Sequence, residues 1–479
     1  FSARVTGAQV FVFGALTPMQ RRPVAGHVRE MDWEREAESM GKKEVLKLRK
    51  SHFCPAQTIS YENTSPLLIT SGKGAYLTDE KGKRYLDTRN NVNHVGHQNE
   101  QVAAAVARQV FKLNSNTRYL HPNVTLLARN LLRHCPQPLS VVFFVNSGSE
   151  ANDLALRLAS AHTGSNEVVA VQRAYHGHTS SVIDISPYKF NSKGGQGKKK
   201  HIHVVPCPDT YRGAHRGEDA SQLYAEYVKD ACKSAKSKIG AFFIESGMSV
   251  AGVVLPPKDY LKRCYKYVRD QGGVCVADEV QTGFARFGKF FWGFEQQEVV
   301  PDIVTMGKPM GNGMPIAAVV TTEKISASFC NGMEYFNTFG GNPVCAAASL
   351  AVLEVIESES LQKHAHETGK MLIDGFRELG EKHELIGDIR GAGLFIGVEF
   401  VRDSKTLEPA TAEVSIVCSR LKNEKNILTS VDGKHDNVLV IKPPMVFGES
   451  EARELLNAMD DILSTLGKID PESYSHTPT

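Results

Sequence analysis

Short apolar runs alternate with helical stretches through the middle of this chain. Runs at residues 141–145, 168–171, 203–205, 241–244, 274–277, 303–305 and 317–321 are too brief for helices and read as strands. Their alternation with helices predicts a mostly parallel seven-stranded sheet with crossover helices. Before it, residues 31–50 are charged and helix-like, and residues 76–87 read as a hairpin turning at Lys81-Gly82. A polar, turn-rich stretch at residues 90–97 leads into a helix predicted over 100–113. A helix is also expected over about 150–161, and after Pro343 a long helix leads to Leu385. A smaller α/β segment follows, with strands expected at 393–400, 427–430 and 438–441. The tail after Asp470 is polar, and no internal repeat is visible.

Length and composition narrow the picture. The 479 residues, 41% of them hydrophobic, suffice for a full core and more than one domain. A net charge of +3 gives no reason to invoke nucleic acid. No stretch reaches the roughly 18 apolar residues of a membrane span. Nine scattered cysteines without a C-x-x-C pair fit free thiols in a reducing compartment, and Cys207, Cys275 and Cys345 read as core packing. No metal site is expected. Residues 1–29 carry Arg4, Arg21, Arg22 and Arg29 and no acid. That leader is compatible with a mitochondrial transit peptide, or with a disordered extension ahead of Met31. The expected location is mitochondrial, with the cytoplasm as the alternative.

Three strands end in residues that suit one cofactor. The run at 141–145 meets Asn146-Ser147-Gly148-Ser149-Glu150, the run at 274–277 meets Asp278-Glu279, and the run at 303–305 meets Met306-Gly307-Lys308. Alone, each has a plain reading: a helix cap, a cap or metal ligand, a solvated strand end. Together they supply a phosphate cradle at a helix start, a carboxylate and an amine, all beyond the carboxyl ends of strands. That set suits pyridoxal 5'-phosphate (PLP). Lys308 would form a Schiff base with its aldehyde, best done with a lowered pKa. Asp278 would pair with the pyridine nitrogen and keep it protonated. Gly148 would let the backbone approach closely.

These motifs, with Tyr175-His-Gly-His178, Asp278-Glu-Val-Gln-Thr-Gly-Phe284 and Asn337-Thr-Phe-Gly-Gly-Asn-Pro343, resemble the class III aminotransferases of the fold-type I PLP superfamily. The resemblance runs from about Pro66 to Leu466. It implies an α/β fold: a large domain with a mostly parallel seven-stranded sheet, plus a smaller α/β domain built from both chain ends. The boundaries expected are a leader at 1–30, small-domain residues 31–89, a PLP domain at 90–335, small-domain residues 336–470 and a tail at 471–479. It implies that Lys308 and Asp278 are catalytic and that Ser147, Gly148, Ser149 and Gln281 contact the cofactor. Tyr175 and Val280 would lie on the two faces of its ring. Thr338 would reach the phosphate of a neighbouring subunit, so a homodimer or dimer of dimers is expected.

Two departures bear on the reaction. Family members that use glutamate carry a Glu five residues after the one matching Glu245, where this chain has Val250. They also carry an Arg before the C-terminal Pro-Pro, where the matching position is Val440. Without that pair a substrate carboxylate would lose water with little return, and Lys442 offers a point charge but no bidentate fork. Other segments, among them Asn90-Asn91-Val92, Leu113 to His121, Asp209 to Gly213 and Gly332 to Phe336, resemble the family's phospho-lyase branch. That implies β-elimination of phosphate from a small amino-alcohol phosphate: phosphoethanolamine first, 5-phosphohydroxy-L-lysine second. Transamination of the alanine–glyoxylate type is the rival. For the substrate the candidates are Asn91, Arg118, Arg212 and Lys442, with Lys189 and Arg286 as further cations. His94, His176 and His178 read more simply as loop or packing residues.

Overall fold

The computed structural model describes residues 31–62, 65–115 and 118–467. The Arg-bearing leader and the polar tail lie outside the described residues. The described residues divide into two compact units, one ending at Thr58 and the other beginning at Ile59. In the first, the charged stretch after Met31 forms two helices, Asp32–Ser39 and Lys42–His52, neither of which buries a residue.

The second unit opens with strands β1 (Ile69–Lys73), β2 (Tyr76–Asp79) and β3 (Arg84–Asp87), paired antiparallel in order. Asp79 shapes the β2–β3 turn by accepting the N–H groups of Lys81 and Lys83 on Oδ1 at 3.0 and 2.9 Å. The main sheet holds β4 (Leu139–Val145), β5 (Val168–Val171), β6 (Ile202–Val205), β7 (Ala241–Glu245), β8 (Val274–Asp278), β9 (Ile303–Met306) and β10 (Ala317–Thr322). Its order is β4-β10-β9-β8-β7-β5-β6. Pairs within β6-β5-β7-β8-β9 are parallel, and β10 runs antiparallel to both its neighbours. Each predicted strand is present to within two residues. The strands β5, β7, β8 and β9 are buried along their whole length, which is why they read as unbroken apolar runs.

The expected single helix after Pro343 is two, Pro343–Ser358 and Leu361–Lys382. The chain breaks at Ser360, whose φ of 52 is left-handed and closes a helix rather than continuing it. A third sheet pairs β11 (Ile386–Ala392), β12 (Phe395–Asp403) and, beyond the short β13 (Glu408–Pro409) and β14 (Ile427–Leu428), the strands β15 (Ser430–Asp432) and β16 (Val438–Ile441). The stretch 427–430 is therefore split. Its first half, β14, leaves the third sheet and lies parallel to β3, with Ile427 opposite Leu86 and Leu428 opposite Asp87. Among the described residues no helix is long and apolar enough to cross a membrane. None of their His, Cys, Asp and Glu side chains gather in a group able to hold a metal ion.

Candidate active site

Parallel strands deliver their carboxyl ends to one edge of a sheet, and a cavity of about 310 Å³ opens at that edge. Ser147, Gly148, Ser149, Tyr175, Asp278, Val280, Gln281 and Lys308 all line it. Eight residues chosen from sequence thus meet in one place, although they span more than 160 positions of chain.

The anion cradle comes from the step between β4 and the helix Gly148–Thr163. Ser147 caps that helix by accepting the N–H of Glu150 on its Oγ at 3.2 Å. The first-turn N–H groups and the helix dipole are left to favour an anion. Gly148 is required by packing: a Cβ there would lie 2.9 Å from Val280 Cγ1. Gly177 is required twice over, by a φ of +129 and by a Cβ position 2.5 Å from Ser149 Oγ. That oxygen accepts the N–H of His178 at 3.0 Å.

Asp278 ends β8, buried, in a set of donors that fix its carboxylate. Asn152 Nδ2 and His176 Nδ1 both reach Oδ2 at 2.8 Å, and the N–H of Val280 donates to Oδ1 at 3.0 Å. Asn152 is oriented in turn by Thr305, whose Oγ1 donates to its Oδ1 at 2.6 Å. Three donors on one buried carboxylate satisfy it and fix its direction. Asn152 was hidden inside the Asn146–Asn152 motif, and His176 reads from sequence as packing. Only the fold, by crossing 126 and 102 residues of sequence, makes them partners of Asp278.

Lys308 follows β9 in a tight 3-10 turn, Lys308–Gly311. Its side chain opens on the cavity, yet lies deep enough that desolvation lowers its pKa below the lysine value. Asp278, Glu245 and Asp432 oppose that shift. Glu245 ends β7 directly opposite Asp278 in register. Its carboxyl accepts the N–H of Tyr175 at 3.0 Å and of Ser249 at 3.3 Å, and burial pushes its pKa up to about 7.

A polar chain continues behind the wall. Lys442 is buried; its Nζ donates to Ser249 Oγ at 2.6 Å and Gln281 Oε1 at 3.3 Å. Asn91 Nδ2 donates to the same Gln281 oxygen at 3.0 Å. Burial pushes the Lys442 ammonium down to about 8. Two of the four substrate candidates, Asn91 and Lys442, therefore sit one bond from the cavity. Ser249, which joins Lys442 to Glu245, carried no sequence signal.

The other two candidates lie elsewhere. Arg212 is taken up by Glu399 and by the carbonyl of Leu407. Arg118 lies on the surface, bonded to Glu334 Oε1 at 3.0 Å and stacked on Phe336. Neither lines the cavity, and each has a partner elsewhere. Arg286 is fully buried, donating to the carbonyls of Leu394 and Pro443 at 3.0 and 2.8 Å. Its Nη2 also donates to His94 Nδ1 at 3.1 Å, while His94 Nε2 donates to Phe284 O at 2.6 Å, so His94 is neutral. Thr338 is exposed, on a loop that also exposes Met333, Phe336 and Phe339.

These residues fit PLP. The cavity offers a lysine amine with lowered pKa, an oriented carboxylate, an anion cradle whose Gly148 has no room for a Cβ, and Tyr175 and Val280 as lining side chains. Comparison with known proteins points the same way. A family model described as aminotransferase class-III matches residues 58–463. A Drosophila melanogaster protein named alanine–glyoxylate aminotransferase 2-like is 46% identical, over 90% of this chain and 89% of its own. Ethanolamine-phosphate phospho-lyase homolog 1 of Caenorhabditis elegans is 40% identical, over 89% of this chain and 94% of its own. Among solved structures, a phospholyase from Arthrobacter in complex with phosphoethanolamine matches with a TM-score of 0.83 and 36% identity, covering 88% of this chain and all of that one.

Proposed function

We propose that this chain, which belongs to the class III aminotransferase family, is a phospho-lyase that converts phosphoethanolamine and water to acetaldehyde, ammonia and phosphate. Like the family, it depends on PLP. One observation carries the choice of a lyase. The buried Lys442 ammonium spends its bonds on two neutral groups, Ser249 and Gln281, so a cation stands beside the cavity without a bonded carboxylate. The position where glutamate-using members carry Arg is Val440, wholly buried among apolar side chains. A site with a spare ammonium and no fork for a carboxylate suits a phosphate better.

When bound, PLP accepts into its ring the negative charge left on the carbon next to the amine. Asp278, fixed by Asn152, His176 and the Val280 N–H, holds a proton at the ring nitrogen. Gly148 and Ser149, at the helix start that Ser147 caps, would anchor the cofactor phosphate through backbone N–H groups. Tyr175 and Val280 would keep water from the cofactor ring, and Gln281 would link the cavity to Lys442. Lys308 Nζ takes the proton from the carbon bearing nitrogen. Lys442, with Asn91 behind Gln281, holds the phosphate as its C–O bond breaks. Thr338 completes the cradle of a second copy, which makes a dimer the functional unit.

The name of the 46% identical relative favours a second reading, transamination with a keto-acid acceptor. Inorganic phosphate release from phosphoethanolamine, with PLP and no keto acid, separates the two. Release with equimolar acetaldehyde is expected. Absence of release, with amino transfer to pyruvate or glyoxylate, would replace the lyase by a transaminase. Release only from 5-phosphohydroxy-L-lysine would keep the chemistry and change the substrate.

A further inference from the structure

Among the described residues, Glu245 is the carboxyl of the cavity wall to which the mechanism above gives no task. It sits beside Asp278 in register, so the two side chains emerge on the same face of the sheet. Its carboxyl accepts two bonds from backbone amides, those of Tyr175 and Ser249. Neither is a cation, and a carboxyl so placed retains capacity for a proton. Amine substrates enter such a cavity as ammonium ions. An ammonium has no lone pair, so it must lose a proton before its nitrogen can act as a nucleophile. Lys308 would be holding the cofactor, and Asp278 would be committed to its ring nitrogen.

We propose that Glu245 is the acceptor of that proton: the ammonium N–H bond breaks, an O–H bond forms on the Glu245 carboxylate, and the substrate is left as a neutral amine. The surroundings are matched to the task. Desolvation, then Asp278, raise Glu245, while His176 and the two backbone N–H groups hold it down, leaving it near 7. It therefore accepts and releases a proton at neutral pH at little cost either way. The titratable groups around it are His176 and Tyr175 after β5, Asp278 on β8, Lys308 after β9, and Lys442 on the far side of Ser249. Lys308 feels Glu245 next after Asp278, so protonating Glu245 also lowers the proton affinity of Lys308. The inference rests on the PLP site of the proposed function but not on elimination of phosphate.

Two amines separate a proton acceptor from a structural carboxyl. Phosphoethanolamine is an ammonium at neutral pH, whereas hydroxylamine is a base weak enough to be already neutral. Stopped-flow absorbance reads the attachment of each to the PLP-loaded enzyme before any later step. In Glu245→Gln, attachment of phosphoethanolamine should slow at least tenfold while that of hydroxylamine stays within twofold. Glu245→Asp should recover part of the loss. Equal slowing of both amines would make Glu245 structural, and no slowing of either would end the proposal. Should the enzyme be a transaminase, alanine replaces phosphoethanolamine, and the comparison stands whether or not phosphate is ever released. On the cofactor-free protein, infrared difference spectra should show a carboxyl stretch titrating near 7. Glu279, also held at about 7, contributes a second such band. Only the Glu245 component should vanish in Glu245→Gln, and its persistence would refute the assignment.

Discussion

Replacing Lys442 by Met should stabilise the folded chain at neutral pH while weakening its hold on substrate. Burial pushes the ammonium from 10.5 to about 8, with Asp432 offsetting part of that cost and Lys308 and Arg286 adding repulsion. Below pH 8 both folded and unfolded chains carry the proton, and the folded state bears the whole penalty, about 3 kcal/mol. As pH rises from 8 to 10.5 the folded chain has released a proton that the unfolded chain still holds. Stability therefore climbs through that window. Met removes the charge and keeps an apolar stem, but forfeits the bonds to Ser249 and Gln281, about 1 kcal/mol each. The expected net gain at neutral pH is about 1 kcal/mol, turning into a loss of about 2 kcal/mol once the wild-type lysine is neutral in both states. Urea unfolding of cofactor-free wild type and Lys442→Met across this range measures the difference. The KM for phosphoethanolamine should rise at least tenfold in the same variant. A variant that is less stable at neutral pH, by an amount independent of pH, would show that the fold already compensates the ammonium. Lys442 would then not be waiting for an anion.

Lys308→Ala should abolish both the cofactor's absorbance in the visible and phosphate release, while the protein still folds; turnover equal to wild type would overturn the role given to Lys308. Gly148→Ala should weaken PLP binding by about 1–3 kcal/mol, roughly five- to 150-fold, since its Cβ meets Val280. Val280→Ala in the same chain should recover most of that, as PLP fluorescence titration would read; no coupling between the two would refute the steric account. Arg212→Met should lower thermal stability by leaving the buried Glu399 short of one partner, about 1–3 kcal/mol with Arg390 still bonded to it. Its KM for phosphoethanolamine should not move, and a large rise would place Arg212 at the substrate after all.

What could be read from the sequence follows from what was local. Residues 168–171 announce a strand because every side chain there is buried. Asp278 and Lys308 were legible because each follows such a run directly. Asn152, His176 and Ser249 were not, since their meaning lies in partners more than 100 residues away. Glu245 served only to mark a strand end, and its register opposite Asp278 is a property of the sheet. Arg212 misled for the same reason: its counter-ion Glu399 lies 187 residues on. The break at Ser360 was invisible to periodicity, because apolar spacing continues across it while one backbone angle does not.

The parallel pairing of β14 with β3 bears on how the chain is made. Synthesis yields β3 some 340 residues before its partner at Ile427–Leu428 exists. Through most of translation the first hairpin sheet ends in an open edge, with Leu86 and Asp87 lacking the backbone they will match. The main sheet, complete by Thr322, is available to fold meanwhile. Emergence of Ile427–Leu428, rather than of the site residues, is then the event that closes this sheet. A chain stopped short of Ile427 would carry Asp278 and Lys308 in place, an unsealed edge, and the tendency to associate that such edges confer.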